Sequence, residues 1–410
     1  MIENNNNNNN KKSFSELGLD ENVKRALREN GLEEPFPIQA AAIPLVLQGK
    51  DMVGQAHTGT GKTAAFALPL LTMIKSSRPV QALVLVPTRE LAVQVTGEIA
   101  KFSRYTQTRT VAIYGGQSFG LQHDKLRRGV QIVVATPGRL IDHVRRGTIK
   151  LEGIKFLVLD EADRMLDMGF IDDIEFILSR TDRNGRQTML FSATMPPEIL
   201  RLAKEHMKKG NTAEVRLNTE EVTLKNIEQS YLMVSEQEKF VRLVDIMRPF
   251  KEQMIVFAAT KSRTDRLARE LRQEGFRVSA IHGDLQQKQR DSVMQRFRNG
   301  GDNILVATDI AARGIDVQAV GQVINYDVPI DPDTYFHRIG RTARAGADGK
   351  AITLVTPERF SEFERILRQA KTPIAMLNES MGIAVPAMRR SRTSFGGRGQ
   401  GGNRRNFRRR

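Results

Sequence analysis

The chain has 410 residues, with 63 Lys and Arg against 47 Asp and Glu, a formal net charge of +16 and no cysteine. That length exceeds one ordinary core and fits two domains of about 200 residues each. The missing cysteines exclude a disulfide framework, a thiolate metal site and a Cys nucleophile, and the surplus of cations points to a polyanionic partner.

The chain opens on Met1-Ile2-Glu3 and the run Asn4–Asn10, which has no packing content and no apolar signal-peptide core. No apolar run approaches the roughly 18 residues of a membrane span, so the expectation is a cytoplasmic protein. Short apolar runs then alternate with helical patterns. In the first half they are Asp51–Ala56, Ala82–Pro87, Thr110–Tyr114, Ile132–Ala135, Phe156–Asp160 and Thr188–Ser192. In the second half they are Met254–Phe257, Val278–His282, Ile304–Thr308, Gln322–Tyr326 and Ala351–Val355. Continuous Val/Ile/Leu runs without polar alternation suit parallel strands buried on both faces. Between them, Thr63–Ile74, Arg89–Phe102 and Thr260–Glu274 carry helical periodicity. The pattern predicts an α/β protein of two tandem doubly wound parallel-sheet domains with a cleft between them. The boundaries read as a disordered segment 1–12, a first domain 13–210, a linker 211–223, a second domain 224–375 and a basic Arg/Gly-rich disordered tail 376–410. From Arg389 to Arg410 there are nine arginines and no acid, a composition that cannot bury a core and suits an RNA-contacting arm.

Ala56-His57-Thr58-Gly59-Thr60-Gly61-Lys62-Thr63 follows a predicted strand and opens a predicted helix. That is the setting of a phosphate loop, whose backbone N–H groups wrap phosphate oxygens while Lys62 meets the terminal phosphates. Asp160 and Glu161 end an apolar strand about a hundred positions later. There Asp160 can hold Mg²⁺ and Glu161 can polarise a water. The pair of motifs predicts an NTPase. In the second half Arg338, Arg341 and Arg344 recur every three residues, so a helix would place neighbouring pairs on one face. Two such guanidinium groups can neutralise charge on a transferring phosphoryl group. Gly116-Gln117-Ser118-Phe119-Gly120 matches a nucleophile-elbow pattern but has no partnered base and acid, and reads as a Gly-rich loop near a backbone ligand. Asn378-Glu379-Ser380 reads as a chance sequon.

The ordered series of motifs resembles the DEAD-box ATP-dependent RNA helicases from about Phe14 to Val355. It comprises Pro37-Ile38-Gln39, Ala56 to Thr63, Pro87-Thr88-Arg89-Glu90-Leu91, Gly115-Gly116 and Thr136-Pro137-Gly138-Arg139. It continues with Asp160-Glu161-Ala162-Asp163, Ser192-Ala193-Thr194, Gln287 to Arg290, Ala307-Thr308-Asp309, Arg313-Gly314-Ile315-Asp316 and His337 to Arg344. The resemblance implies RecA-like domains, with Gln39 and Phe14 reading adenine, Thr58, Gly59, Thr60, Gly61, Lys62 and Thr63 holding phosphates, and Thr63 and Asp160 the Mg²⁺. It further implies Glu161 on the water, Arg341 and Arg344 as fingers with Arg338 in support, and Asp316 on the ribose. Asp163, Ser192, Thr194 and His337 would link the domains. Thr88, Arg89, Gly116, Thr136, Arg139, Gln287, Arg290, Thr308 and Gly314 would line the RNA backbone. Departures are Leu32 and Phe36 near Pro37, the loose Met254–Thr260, and Ala343 in place of a common Gly. The implied activity is local RNA unwinding or remodelling coupled to RNA-stimulated ATP hydrolysis, by a probable monomer working with ribosome-assembly or RNA-decay proteins. A DNA translocase, an ATP-gated RNA clamp and tail-driven annealing are the competing readings.

Overall fold

The computed structural model describes residues 13–56, 60–75, 79–216, 226–309, 320–342, 348–370 and 372–386, with the side chain of Gln287 also outside the description. Among them, seven strands form a first sheet: β1 (Asp51–Gln55), β2 (Ala82–Leu85), β3 (Thr110–Ile113), β4 (Ile132–Ala135), β5 (Phe156–Leu159), β6 (Gln187–Ser192) and β7 (Thr212–Arg216). Seven more form a second: β8 (Ile227–Met233), β9 (Met254–Phe257), β10 (Val278–Ile281), β11 (Ile304–Ala307), β12 (Gln322–Asn325), β13 (Gly349–Val355) and β14 (Ala375–Met376). The spatial orders are β3-β4-β2-β5-β6-β1-β7 and β10-β11-β9-β12-β13-β8-β14, and every pairing is parallel.

The first domain carries helices α1 (Glu21–Glu29), α2 (Pro37–Leu47), α3 (Lys62–Met73), α4 (Arg89–Phe102), α5 (Phe119–Arg127), α6 (Pro137–Arg145), α7 (Ala162–Asp167), α8 (Ile171–Ser179) and α9 (Pro197–His206). The second carries α10 (Lys239–Met247), α11 (Lys261–Gln273), α12 (Gln287–Arg298), α13 (Pro332–Ile339) and α14 (Phe360–Gln369). Among the described residues no helix is long and apolar enough to cross a membrane.

The apolar runs are apolar because the sheets are covered on both sides. On β2, Val84 joins one core with Val134 and Val158, while Leu83 and Leu85 join the other with Val133 and Leu157. Close packing explains one glycine: Gly54 lies opposite Phe191 in register, and a Cβ there would come within 2.8 Å of the Phe191 ring. The cation at the start of α10 is also internal. Lys239 Nζ lies 2.8 Å from Asp327 Oδ1, Arg263 reaches the same carboxylate at 2.6 Å, and Arg263 also meets Glu236 at 2.8 Å.

Two boundaries differ from those read in the sequence. Thr212–Arg216 is not linker but β7, laid against β1. Its exposed, charged residues suit an edge position and hide it from an apolar-run search. Residues 376–386 are not tail. Met376 belongs to β14 on β8, and the side chain of Asn378, 2% exposed, donates to Met233 O and accepts from Met233 N, both at 2.8 Å. The Arg-rich segment beyond residue 386 lies outside the described residues, as do 1–12.

Candidate nucleotide site and nucleic-acid interface

The phosphate loop ends on Gly61, whose φ of 82° is left-handed and free of strain only for glycine. A Cβ there would also strike the Gln39 amide. Lys62 is the first residue of α3, with Thr63 beside it in the first turn. Lys62 is 7% exposed, and its Nζ has no hydrogen-bond partner among the described residues. A buried, unpartnered ammonium at a helix N-terminus is unfavourable unless an anion completes it. The residues therefore fit a triphosphate. Thr60 lies within the described loop; Thr58 and Gly59 lie outside the described residues.

Facing the loop, β5 delivers Asp160 and Glu161, both buried. Glu161 is the only described non-glycine residue with positive φ, 53°, a conformation retained where local structure over-determines it. Its amide donates to Asp160 Oδ1 at 3.0 Å, and its Oε2 meets Arg164 Nη1 at 2.7 Å. Burial would raise the Glu161 carboxyl, but Arg164 and Lys62 outweigh it and hold it down at about 2. For Asp160, burial wins over Lys62 and pushes the group up to about 7. One firm anion and one carboxylate short of a cation is an arrangement that a bound divalent ion would complete. Arg164 was not singled out in the sequence, although its place three residues after Glu161 is a readable signal.

Gln39 is buried and ties the loop to α2. Its Oε1 accepts from Phe36 N at 2.9 Å and its Nε2 donates to Gly61 O at 3.0 Å. Phe14 packs into the core, whereas Phe36 is 46% exposed beside Gly61. The open aromatic face at this edge of the site is thus Phe36.

Asp163 Oδ2 accepts from Ala193 N, Thr194 N and Thr194 Oγ1 at 2.8–3.1 Å, and Ser192 Oγ accepts from Asp163 N at 3.1 Å. The acidic motif and the Ser-Ala-Thr strand end are therefore one unit. His337 and Arg341 of the second domain line the same cleft as Lys62, Glu161 and Asp163, and the Arg341 charge contributes to lowering Glu161.

Arg338 and Arg341 do not share a helical face. Helix α13 stops at Ile339 and Gly340 caps it, so Arg341 leaves the helix and turns into the cleft. Arg338, 3% exposed, grips Asp309 with Nε at 2.6 Å and Nη2 at 2.8 Å, donates to Asp327 O at 2.7 Å, and lies over the Phe257 ring. It fastens α13 to the end of β11. Arg344 and Asp316 lie outside the described residues.

Of the expected backbone contacts, Thr88 and Thr136 occupy the N-cap positions of α4 and α6, where amides favour anions. Arg89 lies over Gly115–Gly116 so closely that a Cβ on Gly116, whose φ is 88°, would clash with its guanidinium. Arg139 sits on α6, and Thr308 closes β11. Arg290 pairs with Glu90 of the first domain at 3.0 Å. Arg290 Nε keeps no hydrogen-bond partner among the described residues. Gly314 and the Gln287 side chain lie outside the described residues. Glu90 was quoted in its motif without a role; its partner is two hundred positions away, which no local pattern shows.

Comparison with known proteins follows this geometry. Residues 36–202 match the DEAD/DEAH box helicase family model and 238–346 the helicase conserved C-terminal domain. The DEAD-box ATP-dependent RNA helicase CshA of Geobacillus kaustophilus is 49% identical over 363 residues, 88% of this chain and 77% of that protein. Yeast (S. cerevisiae) Dbp5 bound to RNA and ADP BeF3 is 34% identical, with TM-score 0.81, over 90% of this chain and 97% of that one. A DEAD box protein from Methanococcus jannaschii is 43% identical, with TM-score 0.54, over 89% and 99%. The chain belongs to the DEAD-box family of ATP-dependent RNA helicases.

Proposed function

We propose that this chain is an RNA-dependent ATPase that separates short RNA duplexes by closing its two domains over one strand. The observation that carries this is Arg341, brought from the second domain to the cleft of Lys62 and Glu161. A site completed only by closure ties hydrolysis to whatever favours closure.

In this reading Lys62 and the loop amides hold the β- and γ-phosphates, and Gln39 and Phe36, with Phe14 behind them, border the adenine. Thr63 and Asp160 would hold Mg²⁺, which when bound neutralises phosphate charge. Glu161, anionic because of Arg164, orients the attacking water and takes its proton as the new P–O bond forms. The bond to the β–γ bridging oxygen breaks, giving ADP and phosphate, and Arg341 and Arg344 stabilise charge on the transferring group. A finger of this kind is worth roughly 10³–10⁵ in rate. Asp316 would hold the ribose, while Asp163, Ser192, Thr194 and His337 relay closure. Thr88, Arg89, Gly116, Thr136, Arg139, Gln287, Arg290, Thr308 and Gly314 would hold phosphates and ribose without reading bases. Contacts to the 2′-hydroxyl would select RNA. A path bent by both domains cannot stay A-form, so a few base pairs open. Bacterial relatives support a cytoplasmic location, and a site completed within one chain supports a monomer. Ribosome-assembly or RNA-decay proteins are candidate partners because a backbone reader takes its target from elsewhere.

The test is steady-state ATP hydrolysis without nucleic acid, with single-stranded RNA and with matched DNA, using Glu161→Gln as the blank. Stimulation by RNA alone, lost in the variant, is the expected result. Equal stimulation by DNA would refute RNA selectivity.

A further inference from the structure

Strand β3 is the outer edge of the first sheet and pairs only with β4. Beside it, between α4 and the segment that forms α5, runs an open groove of about 550 Å³. Arg109, Lys125 and Arg128 lie along it, and no acidic residue lines it. All three cations are exposed. Arg109 Nη1 donates to the backbone carbonyl of Arg128 at 3.0 Å, which fixes the Arg109 side chain at the Arg128 end. Thr96 and Thr110 also line the groove, though their hydroxyl oxygens are buried beneath its surface. At its other end the groove reaches Tyr114 and Gln117, the residues on either side of Gly115–Gly116.

We propose that this groove is a further track for the RNA backbone, receiving nucleotides that run on past the Gly116 loop. The inference rests on the RNA reading of Gly116 and Arg139 and extends it along the sheet edge. Exposed guanidinium and ammonium groups, with no carboxylate lining the groove among the described residues, suit phosphates. Direct continuity with the Gly115–Gly116 loop favours RNA over an acidic peptide added to the free edge. A four-residue strand spans about 13 Å, room for roughly two to four nucleotides.

The test measures binding of the full chain, with ADP–beryllium fluoride present, to a short oligouridylate and to versions extended at the 5′ or the 3′ end. Wild type should gain about tenfold from one of the two extensions, and Lys125→Glu/Arg128→Glu should lose that gain while binding the short RNA as before. For the extended RNA the variant's salt slope should fall by about 1.4, the contribution of two phosphate contacts. Both positions are exposed, and Lys125→Ala/Arg128→Ala serves as a milder check on folding. No gain from either extension in wild type, or an equal gain in the variants, overturns the proposal. Loss of polyglutamate binding in the variants, with RNA affinity unchanged at every length, identifies a peptide site and also overturns it. Failure of wild type to bind even the short RNA would instead overturn the reading of Gly116 and Arg139.

Discussion

Glu90→Ala should uncouple nucleotide from RNA while leaving the residues proposed to touch either ligand in place. Glu90 Oε1 lies 3.0 Å from Arg290 Nη2, with side chains 13% and 15% exposed. At an effective dielectric of about 20 the attraction at that distance is about 5 kcal/mol. The contact is an ion pair without hydrogen-bond geometry, since Glu90 Oε1 has no hydrogen-bond partner among the described residues. Desolvation and side-chain ordering offset much of the attraction, leaving roughly 2 kcal/mol, between an exposed pair and a fully buried one. The contact joins the two domains, so the whole penalty falls on the closed form. Roughly 2 kcal/mol corresponds to about 30-fold in an equilibrium. The assay is RNA affinity with and without a non-hydrolysable ATP analogue; the ratio of the two measures coupling. That ratio should fall about 30-fold, with RNA affinity in the absence of nucleotide nearly unchanged. Arg290→Ala added to Glu90→Ala should lower the ratio further only by what the proposed contact of Arg290 with RNA contributes, because the pair is already broken. A ratio unchanged in Glu90→Ala would refute closure through this contact.

Two further outcomes concern stability. His143 is fully buried; the neutral ring donates from Nε2 to Gln122 Oε1, its Nδ1 lies 2.8 Å from Thr148 Oγ1, and burial pushes its pKa down to about 4. Below about pH 6.5 the unfolded ring takes up a proton that the folded ring refuses. Stability is therefore lost as pH falls from 6.5 toward 4, by about 2 kcal/mol at pH 5. Denaturant midpoints at pH 7.5 and 5 should show that loss shrinking in His143→Gln; an identical loss would refute the assignment. Asn378→Ala removes two 2.8 Å bonds to the Met233 backbone and should destabilise the second domain by roughly 2–3 kcal/mol. A thermal midpoint equal to wild type would show that the C-terminal segment is held by other contacts.

Strands buried on both faces were legible as unbroken apolar runs, and eleven of them were read within a residue or two of their ends. Those that escaped are β7, β8 and β14. Strand β8 reads Ile-Glu-Gln-Ser-Tyr-Leu-Met, its apolar run broken by Glu-Gln-Ser although Gln229 and Ser230 are buried. Gln229 is satisfied there by Thr372 and Tyr335, and partners so distant leave no local trace. The same limit applies to the site. Lys62, Asp160 and Glu161 announce themselves through contiguous motifs, whereas the Glu90–Arg290 pair exists only in the folded chain. The spacing of Arg338 and Arg341 misled because it assumed a helix that Gly340 ends. The arginine adjoining the finger became a girder for Asp309 instead.

The two sheets share one strand order, so β8 stands where β1 stands, and each is followed by a helix whose first residue is a buried lysine. In the first half that lysine has no hydrogen-bond partner among the described residues, which suits the phosphate proposed for it. In the second, Asp327 and its neighbours Arg263 and Glu236 have already closed the circuit. The second half is therefore a lock filled with its own key: it answers Lys239 from within, so one chain should fire once per closure rather than twice. An engine with a single combustion chamber leaves its other block free to serve as the piston.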